Sequence, residues 1–467
     1  MAKRNIESNL YLDTVNRHLL DFDFEKVCSV TLSNKSIYCC LICGKYYQGR
    51  SKTSAAYNHS IDEEHHVYLG LDSKQFYILP ENYKVDDNSL ADILKVLEPS
   101  YESGDLDKLD SDLVGQDLSK NDYLVGYIGL NNMSNNDYAN VILNMLTHIR
   151  PLRNHFLLLN DCKTELLRRY SLFNKRVWND KLFKSQVSPH EVLQLITKLS
   201  ANKFNIQNSS DPVEFLTFLL NQLHKDLGGN KKSNSSIIYQ LFQGQLRMTS
   251  QKIIQLDENE DINKKFIKED KVTTINTPFL ILSCDLPPKP VFNDNENIIP
   301  QVSLGDVLKK YDGVTTQEHL GQSRQYKLTK LPKYLLIHFK RFSKNRFTSE
   351  YNQTIVNYPI SGVDFKDYVD STENINTVYD LVGNISHEHQ ATAGDDNNKS
   401  KWKCQLKSPM KNDDGSSKWF QLQDLFVEEI DRRLIFLGET YLQEHADVHP
   451  GMAKKRVDRV DKVMSYL

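Results

Sequence analysis

The sequence lacks several features that would place it in familiar classes of protein. It has no basic surplus, because 58 Lys and Arg stand against 61 Asp and Glu, and the formal charge is -3. Overall electrostatics therefore do not indicate nucleic acid as a direct ligand, although local basic patches leave RNA contact open. No stretch approaches about 18 apolar residues without a charge, so no helical membrane span is expected. No apolar run follows the first cations, so no signal peptide is expected either.

Cysteines are few and unevenly placed, which argues against a disulfide framework. The chain has seven cysteines in 467 residues. Secreted disulfide scaffolds are short chains with evenly spread cysteines, whereas four of these seven fall between positions 28 and 43. A composition of 39% hydrophobic and 25% charged residues is that of a folded globular protein. We expect a soluble intracellular protein of two or three domains.

The apolar patterning predicts an α+β chain with a small first domain and a larger second one. We expect four segments: a first domain over 1–100, an acidic linker or mobile strap over 101–122, a second domain over 123–446, and a tail over 447–467. The following elements are predicted: helices over 10–24, 90–97, 137–148 and 212–227, and strands over 36–41, 67–71, 75–79, 279–284, 334–342 and 377–386. Polar insertions are expected at 289–300, 390–401 and 411–418. For the tail, an amphipathic helix and a disordered segment both stay open.

Four residues near the N-terminus have the spacing of a zinc site. Cys40, Cys43, His59 and His65 read C-x2-C-x15-H-x5-H, within the usual range for a closed tetrahedral site. Two cysteines on a tight turn present both thiolates to one ion, and two histidines close the other side. Because four protein ligands leave no position for water, we expect one structural Zn²⁺ ion rather than a catalytic one.

Three neighbouring residues compete for places in this ligand set. Cys28, Cys39 and His66 lie close to the four in sequence. Residues 39 and 40 point to opposite faces of a predicted strand, so only one of the two can be a ligand. Cys39 is then most simply a small core residue.

The same segment resembles the zinc finger of ubiquitin-specific proteases, through the runs CLICGKYYQGR, NHSIDEEHH and VYLGL. Members that bind the free ubiquitin tail use an arginine just after the Cys-Gly pair and an aromatic wall. Lys45 takes the arginine position here, and the domain has no tryptophan. Since an ammonium cannot replace a planar two-pronged guanidinium, the resemblance argues against binding of the ubiquitin tail.

The second domain resembles the catalytic domain of the same proteases, which have a papain-like fold. The run GLNNMSNNDYAN over 129–140 resembles the family's cysteine box, with Asp137 at the nucleophile position and Asn132 at the oxyanion position. Further motifs extend the resemblance over about residues 20 to 445: SDPVEF (210–215), LPKYLLIHFKRF (331–342), YDL (379–381) and WFQLQD (419–424).

The other two catalytic positions are also changed. Lys401 stands where the family has its general-base histidine, and Gln423, with Asp424 beside it, stands at the orienting position. A carboxylate that attacks an amide forms an anhydride, and the amine is the poorer leaving group. A lysine of ordinary pKa is protonated at neutral pH and accepts no proton. We therefore expect no catalytic residues, and we interpret His387 and His389 as surface or packing residues.

A second zinc site is not expected, because residues 239–330 contain only Cys284 where relatives carry paired cysteine knuckles. Among inactive members the chain is most similar to the snRNP-assembly-defective family of splicing factors, through residues 11–14, 20–26 and 125–132. That resemblance implies a nuclear, non-catalytic scaffold that associates with tri-snRNP proteins during pre-mRNA splicing. Two alternatives stay open: a non-catalytic receptor for ubiquitin or a ubiquitin-like protein, and a residual hydrolase that pairs Asp137 with Asp424.

Overall fold

The computed structural model describes residues 11–111, 113–255, 266–268, 271–288, 299–344, 349–370, 376–388, 401–412 and 414–448. The chain divides into two units: Met1–Asn136, Leu146–Ser209 and Asp424–Val427 form the first, and Asp137–Met145, Ser210–Gln423 and Glu428–Leu467 form the second. Within the described residues, no helix has both the length and the apolar character needed to cross a membrane.

The first unit contains a five-stranded antiparallel sheet in the order Tyr46–Gln48, Ile37–Cys40, Val67–Gly70, Gln75–Ile78 and Tyr83–Val85. Two helices accompany it, Ala55–Asp62 and Ala91–Leu97. The three predicted strands and the predicted helix near residue 90 are confirmed. Alternate side chains such as Cys39, Leu69 and Phe76 enter one apolar core. Period-two burial therefore holds this sheet together.

The helix predicted over residues 10–24 is wrong. The described part of this segment forms two short 3₁₀ turns, Leu12–Thr14 and Arg17–Leu19. The side chain of Asn16 accepts from the amide of His18 and so begins a new turn, while the Asn16 amide donates to Leu41 across 2.9 Å. Leu20 and Phe22 are both buried in the sheet's core, a spacing of two that an α-helix cannot provide.

Three further helices complete the first unit: Arg150–Leu158, Glu165–Val177 and His190–Leu199. Short strand pairs also belong to it: Val114–Gln116 with Asp122–Leu124, and Gly129–Leu130 with Gln186–Val187. The acidic segment over 101–122, expected to be a linker, is packed in its described part. Asp110 pairs with Arg153 at 3.0 Å, and the hydroxyl of Tyr101 donates to the carbonyl of Lys175.

The second unit is built on one large sheet. Its strand order is Ile281–Asp285, Tyr334–Lys340, Glu439–Asp447, Val378–Glu388, Lys401–Lys411, Ser417–Gln423 and Phe426–Ile430, with Val363–Asp364 beside Val378–Glu388. The first two strands are parallel, and the next pairs are antiparallel. The strands predicted near 279, 334 and 377 are confirmed with small shifts. A core that includes Leu282, Ile337 and Phe339 lies on this sheet.

A second sheet surrounds the long strand Gly244–Gln255. Its other strands are Phe266–Lys268, Thr273–Phe279, Gln322–Lys330 and Gln317–His319. Two further pairs of short strands form. Gln301–Ser303 pairs with Ile355–Asn357, and Phe342–Lys344 pairs with Ser349–Tyr351.

Two helices of the second unit begin where the sequence predicted: Asp137–His148, which continues into the first unit, and Pro212–Asp226. Two shorter helices, Ile237–Phe242 and Leu304–Leu308, were not predicted. Asp211 caps Pro212–Asp226, because its Oδ1 accepts from the amides of Val213 at 2.7 Å and Glu214 at 3.1 Å. The helical spacing of Val213, Leu216, Leu219, Leu220 and Leu223 predicts one apolar face, and the four leucines are fully buried while Val213 is half-buried.

The insertions fall only partly within the described residues. Residues 411–418 form a turn between two strands of the large sheet, apart from position 413. Most of the insertion at 289–300, residues 389–400 with His389, and the tail beyond 448 lie outside the described residues.

Candidate functional site

The structure brings the four predicted zinc ligands together. Cys40 ends the strand Ile37–Cys40, and Cys43 follows in the turn. His59 lies on the helix Ala55–Asp62, and His65 lies two residues before the start of the next strand, Val67–Gly70. One ligand atom from each residue lies within 4.8 Å of the others. Among the described residues this is the one group of that kind that was found.

The distances between these atoms match the edges of a tetrahedron around zinc. Cys40 Sγ lies 3.6 Å from His65 Nδ1, and Cys43 Sγ lies 3.4 Å from His59 Nε2. The two ring nitrogens are 3.1 Å apart. With Zn–S near 2.3 Å and Zn–N near 2.0 Å, a regular tetrahedron has S···N edges of about 3.5 Å and N···N edges of about 3.3 Å. The cluster therefore fits a closed zinc shell.

The turn that carries the two thiols depends on Gly44. Its φ of +74° lies in the left-handed region, and a Cβ there would meet the carbonyl oxygen of Leu19 at 2.1 Å. The Gly44 amide donates to the Cys40 carbonyl, which closes the turn. The hydrogen bond from Cys40 lowers the pKa of Cys43, which favours the thiolate form of that residue. Tyr47 stacks on His59 at 4.1 Å and holds that ring in place.

The three competing residues have other partners. Cys39 is fully buried in the apolar core, which confirms its interpretation as a core residue. The sulfur of Cys28 accepts from the backbone amides of Val30, Thr31 and Gln48 at 3.2–3.4 Å. His66 Nδ1 lies 2.8 Å from the Leu79 carbonyl.

Asp137, which the sequence resemblance aligns with the nucleophile, is the first residue of the helix Asp137–His148. Its side chain is half-buried, and Oδ1 accepts from the amide of Tyr138 at 2.9 Å. The N-terminal end of a helix carries partial positive charge, which favours the ionised carboxylate. An ionised oxygen at this point stabilises the helix but offers no thiolate.

Asn132, which the sequence resemblance aligns with the oxyanion position, donates its side-chain amide to Asp424. Asn132 Nδ2 lies 3.0 Å from Asp424 Oδ2, while its Oδ1 accepts from the amides of Ser134 and Asn136. Asp424 itself has a φ of +51°, an uncommon conformation for a residue with a side chain. Sequence reasoning placed Asp424 beside the orienting position but did not predict this contact, because nothing in the chain pattern pairs residues so far apart.

Lys401 and Gln423 lie at the same end of neighbouring strands. Lys401 begins the strand Lys401–Lys411, where its register partner is Glu388, and Gln423 ends the strand Ser417–Gln423. The pairing of Cys404 with Leu422 puts Gln423 two residues from Lys401 in register.

His387 is a packing residue, as predicted. It is 4% exposed and lies among Phe342, Tyr351 and Trp402. Its Nδ1 lies 3.0 Å from the Tyr351 hydroxyl.

Comparison with known families agrees with this geometry. The model of the ubiquitin carboxyl-terminal hydrolase family matches residues 128–455, and that of the zinc finger in ubiquitin hydrolases and other proteins matches residues 28–90. The chain belongs to the ubiquitin carboxyl-terminal hydrolase family, in its snRNP-assembly-defective branch of splicing factors. The predicted α+β fold, a zinc finger followed by a protease-like domain, is confirmed.

The chain is similar to relatives over nearly its whole length. It is 45% identical over 450 residues to the probable mRNA-splicing protein ubp10 of Schizosaccharomyces pombe, covering 94% of this chain and 88% of that protein. It is 39% identical to human ubiquitin carboxyl-terminal hydrolase 39, covering 93% and 79%. Saccharomyces cerevisiae pre-mRNA-splicing factor SAD1 is 34% identical, covering 93% and 92%.

Solved structures show the same relationship. The crystal structure of an essential yeast splicing factor superposes with a TM-score of 0.74 at 32% identity, covering 94% of this chain and 100% of that one. Ubp8 in the SAGA module bound to ubiquitin aldehyde superposes with a TM-score of 0.53 at 18% identity, covering 96% and 95%. The second likeness concerns the fold alone.

Proposed function

We propose that this protein is a non-catalytic scaffold in pre-mRNA splicing that works in the nucleus and associates with proteins of the spliceosomal tri-snRNP. The splicing role is supported by relatives named as splicing proteins, which match over more than nine-tenths of the chain. The association with the tri-snRNP follows from the family branch. We also propose that the chain is divided after residues 100, 122 and 446 into a zinc-finger domain, an acidic segment, a protease-like domain and a tail.

The absence of catalysis is supported by one observation above all: Asp137 occupies the helix start where the family carries its thiol nucleophile. Isopeptide hydrolysis by this mechanism needs a thiolate, an imidazole that moves a proton, and a group that orients the imidazole. Lys401 and Gln423 supply neither of the last two. The Asn132 amide, which would stabilise an oxyanion, already binds the carboxylate of Asp424.

A ubiquitin conjugate that releases a fluorophore on cleavage tests this part. The purified chain should give no release above buffer, and Asp137→Ala should give the same trace. Turnover that Asp137→Ala abolishes would show that the carboxylate is catalytic, as in the residual-hydrolase alternative. Titration of labelled ubiquitin should leave its C-terminal NMR signals unmoved, since the exposed Lys45 offers no two-pronged contact to a carboxylate.

The zinc finger is proposed to hold one structural Zn²⁺ ion through Cys40, Cys43, His59 and His65. When bound, the ion cross-links a strand end, a turn and a helix, which fixes the finger's fold. Elemental analysis of the native chain should give one zinc per molecule.

Affinity purification of the full chain from nuclear extract tests the biological part. Tri-snRNP proteins should co-purify, and should persist after nuclease treatment if RNA is not the bridge. Co-purification of ubiquitin conjugates without spliceosomal proteins would favour the receptor alternative.

A further inference from the structure

A groove on the second unit is lined by four cationic side chains. It encloses about 500 Å³. Three segments form it: 358–361, the turn and strands around 407–419, and the 3₁₀ helix Arg432–Leu437. The cations are Lys407, Lys411, Arg432 and Arg433, and no carboxylate is among the described residues that line the groove. None of them belongs to the zinc cluster or to the degenerate catalytic positions.

Among the described residues, the cations of the groove outnumber the carboxylates that lie beside them. Lys407 pairs with Asp380 at 2.9 Å, where both side chains are largely buried. Arg433 pairs with Asp431 at 2.5 Å, but its own side chain is 81% exposed. Within the part of the chain that the structure describes, the Arg432 side chain makes no ion pair or hydrogen bond. Asp414 and Asp431 also interact electrostatically with Arg432. Three described carboxylates therefore lie beside four cations, and the Arg432 guanidinium, which pairs directly with none of them, is available to an anion.

Exposed apolar side chains flank this charge. Leu434 is 56% exposed and Leu437 is 59% exposed, on the same 3₁₀ helix as Arg432 and Arg433. Arginine beside exposed apolar groups is typical of surfaces that bind proteins.

Most of the aromatic surface of the groove is closed to a nucleic acid. Trp419 is 1% exposed and Tyr358 is 7% exposed, so neither ring offers a free face for a base to stack on. Phe436, which is half-buried, is the one further aromatic residue among the described residues that line the groove, and one ring does not make a stacking platform for successive bases. The chain as a whole carries a formal charge of -3, which gives no wider attraction for a phosphate backbone.

We propose that this groove binds an acidic peptide segment of a partner protein, whose carboxylates meet Arg432 and Arg433 while its apolar residues contact Leu434 and Leu437. An acidic peptide would be the chemical class of partner that the proposed splicing scaffold binds, so the biological role of this groove rests on the proposed function. The binding itself is a property of the purified chain. It is therefore measured independently of splicing.

The test compares two charge reversals of equal size in the full-length chain. Arg432→Glu/Arg433→Glu changes the groove. Lys231→Glu/Lys232→Glu changes two adjacent exposed lysines of the same unit that lie outside it. The probes are a fluorescein-labelled synthetic peptide of repeated Glu and Leu and an oligouridine with the same label, followed by fluorescence anisotropy.

The native chain should bind the peptide more tightly than the oligouridine, and added salt should weaken the complex. The groove variant should lose at least about tenfold in affinity, and the lysine variant should stay within about twofold of the native chain. Thermal unfolding should be alike for all three proteins. If the groove variant is less stable, the uncharged Arg432→Gln/Arg433→Gln should show the same loss of peptide binding.

Three results would overturn the proposal: no peptide binding by the native chain, equal losses in both charge-reversed variants, or tighter binding of the oligouridine that depends on the same arginines. The last would replace a peptide by a phosphate backbone. Failure to recover spliceosomal proteins from nuclear extract would count against the proposed function but would leave the peptide affinity unchanged.

Discussion

Replacing Arg176 by methionine should strongly destabilise the first unit. Arg176 is 4% exposed and lies on the helix Glu165–Val177. Its guanidinium contacts Asp23 at 3.2 Å, Glu191 at 3.4 Å and the carbonyl of Leu97 at 3.1 Å. One side chain thus ties two segments of the zinc-finger region to two helices.

The expected cost follows from what the substitution leaves behind. Removing one partner of a buried ion pair costs about 3–5 kcal/mol, because the other charge stays buried without compensation. Asp23 and Glu191 each keep 19% of their side-chain exposure, and Lys26 still binds Glu191 at 2.8 Å. These two facts reduce the loss, so we expect about 3 kcal/mol in the free energy of unfolding.

The loss should also depend on pH. Burial already raises the pKa of Asp23, and Arg176 is the largest influence that lowers it. Without Arg176 that pKa rises further, so the folded variant holds a proton that the unfolded chain has released. Stability of Arg176→Met therefore falls as pH rises above the ordinary aspartate value of about 3.9, and recovers as pH falls.

Urea denaturation followed by far-UV circular dichroism measures these effects. Arg168→Met on the same helix is the matched control, because its pair with Glu165 is exposed and should cost under about 0.5 kcal/mol. Adding Asp23→Asn to Arg176→Met should restore part of the stability. The reasoning is refuted if Arg176→Met costs no more than the control, or if the double variant is less stable than the single one.

Three further predictions concern the other sites. Cys40→Ser should release the zinc and lower the thermal midpoint, whereas Cys162→Ser should keep one zinc per chain by elemental analysis; retention of the metal by Cys40→Ser would contradict the ligand assignment. Asp137→Cys should give no release from a fluorogenic ubiquitin conjugate, because Lys401 and Gln423 still provide no base; measurable turnover would show that the thiol alone was missing. Glu444→Gln should stabilise the chain near neutral pH, because burial raises the pKa of Glu444 well above its ordinary value. The unfolded native chain releases this proton above about pH 4.3, whereas the folded chain retains it, so the native chain becomes less stable as pH rises from that value. The stability difference between Glu444→Gln and the native chain should therefore vanish in acid, and a difference that is constant with pH would contradict this.

Much of the fold could be predicted because its signals are local. The helix Asp137–His148 was predicted to the residue, and Asp211 with Pro212 marked the start of another. The zinc ligands could be predicted because the short spacings C-x2-C and H-x5-H place two thiols and two imidazoles within reach of one ion. The segment over residues 10–24 was mispredicted because its apolar residues also suit a helix, and only burial against the sheet selects turns and an extended chain.

Contacts between distant residues could not be predicted. A row of side-chain amides crosses the large sheet: Asn384 donates to Gln405 at 2.7 Å, and Gln405 donates to Gln421 at 3.1 Å. Each of these strands is recognisable alone, but the row exists only through the register between them. The same holds for Asn132 with Asp424, and for Arg176 with Asp23.

Asp137 and Asn132, which the resemblance aligns with catalytic positions of the family, make contacts that stabilise the folded structure. An aspartate in the first turn of a helix stabilises it by about 0.3–1 kcal/mol through the partial charge of the helix end. Asp137 has that position, and the Asn132 side chain holds both Asp424 and two amides of its own loop. Catalytic residues are commonly held at a cost in stability, so replacing one often stabilises an enzyme. Here Asp137→Cys should instead lower the free energy of unfolding by about that amount, and the difference should shrink in high salt. A stabilising Asp137→Cys would mean that Asp137 is held under strain, as a functional side chain would be.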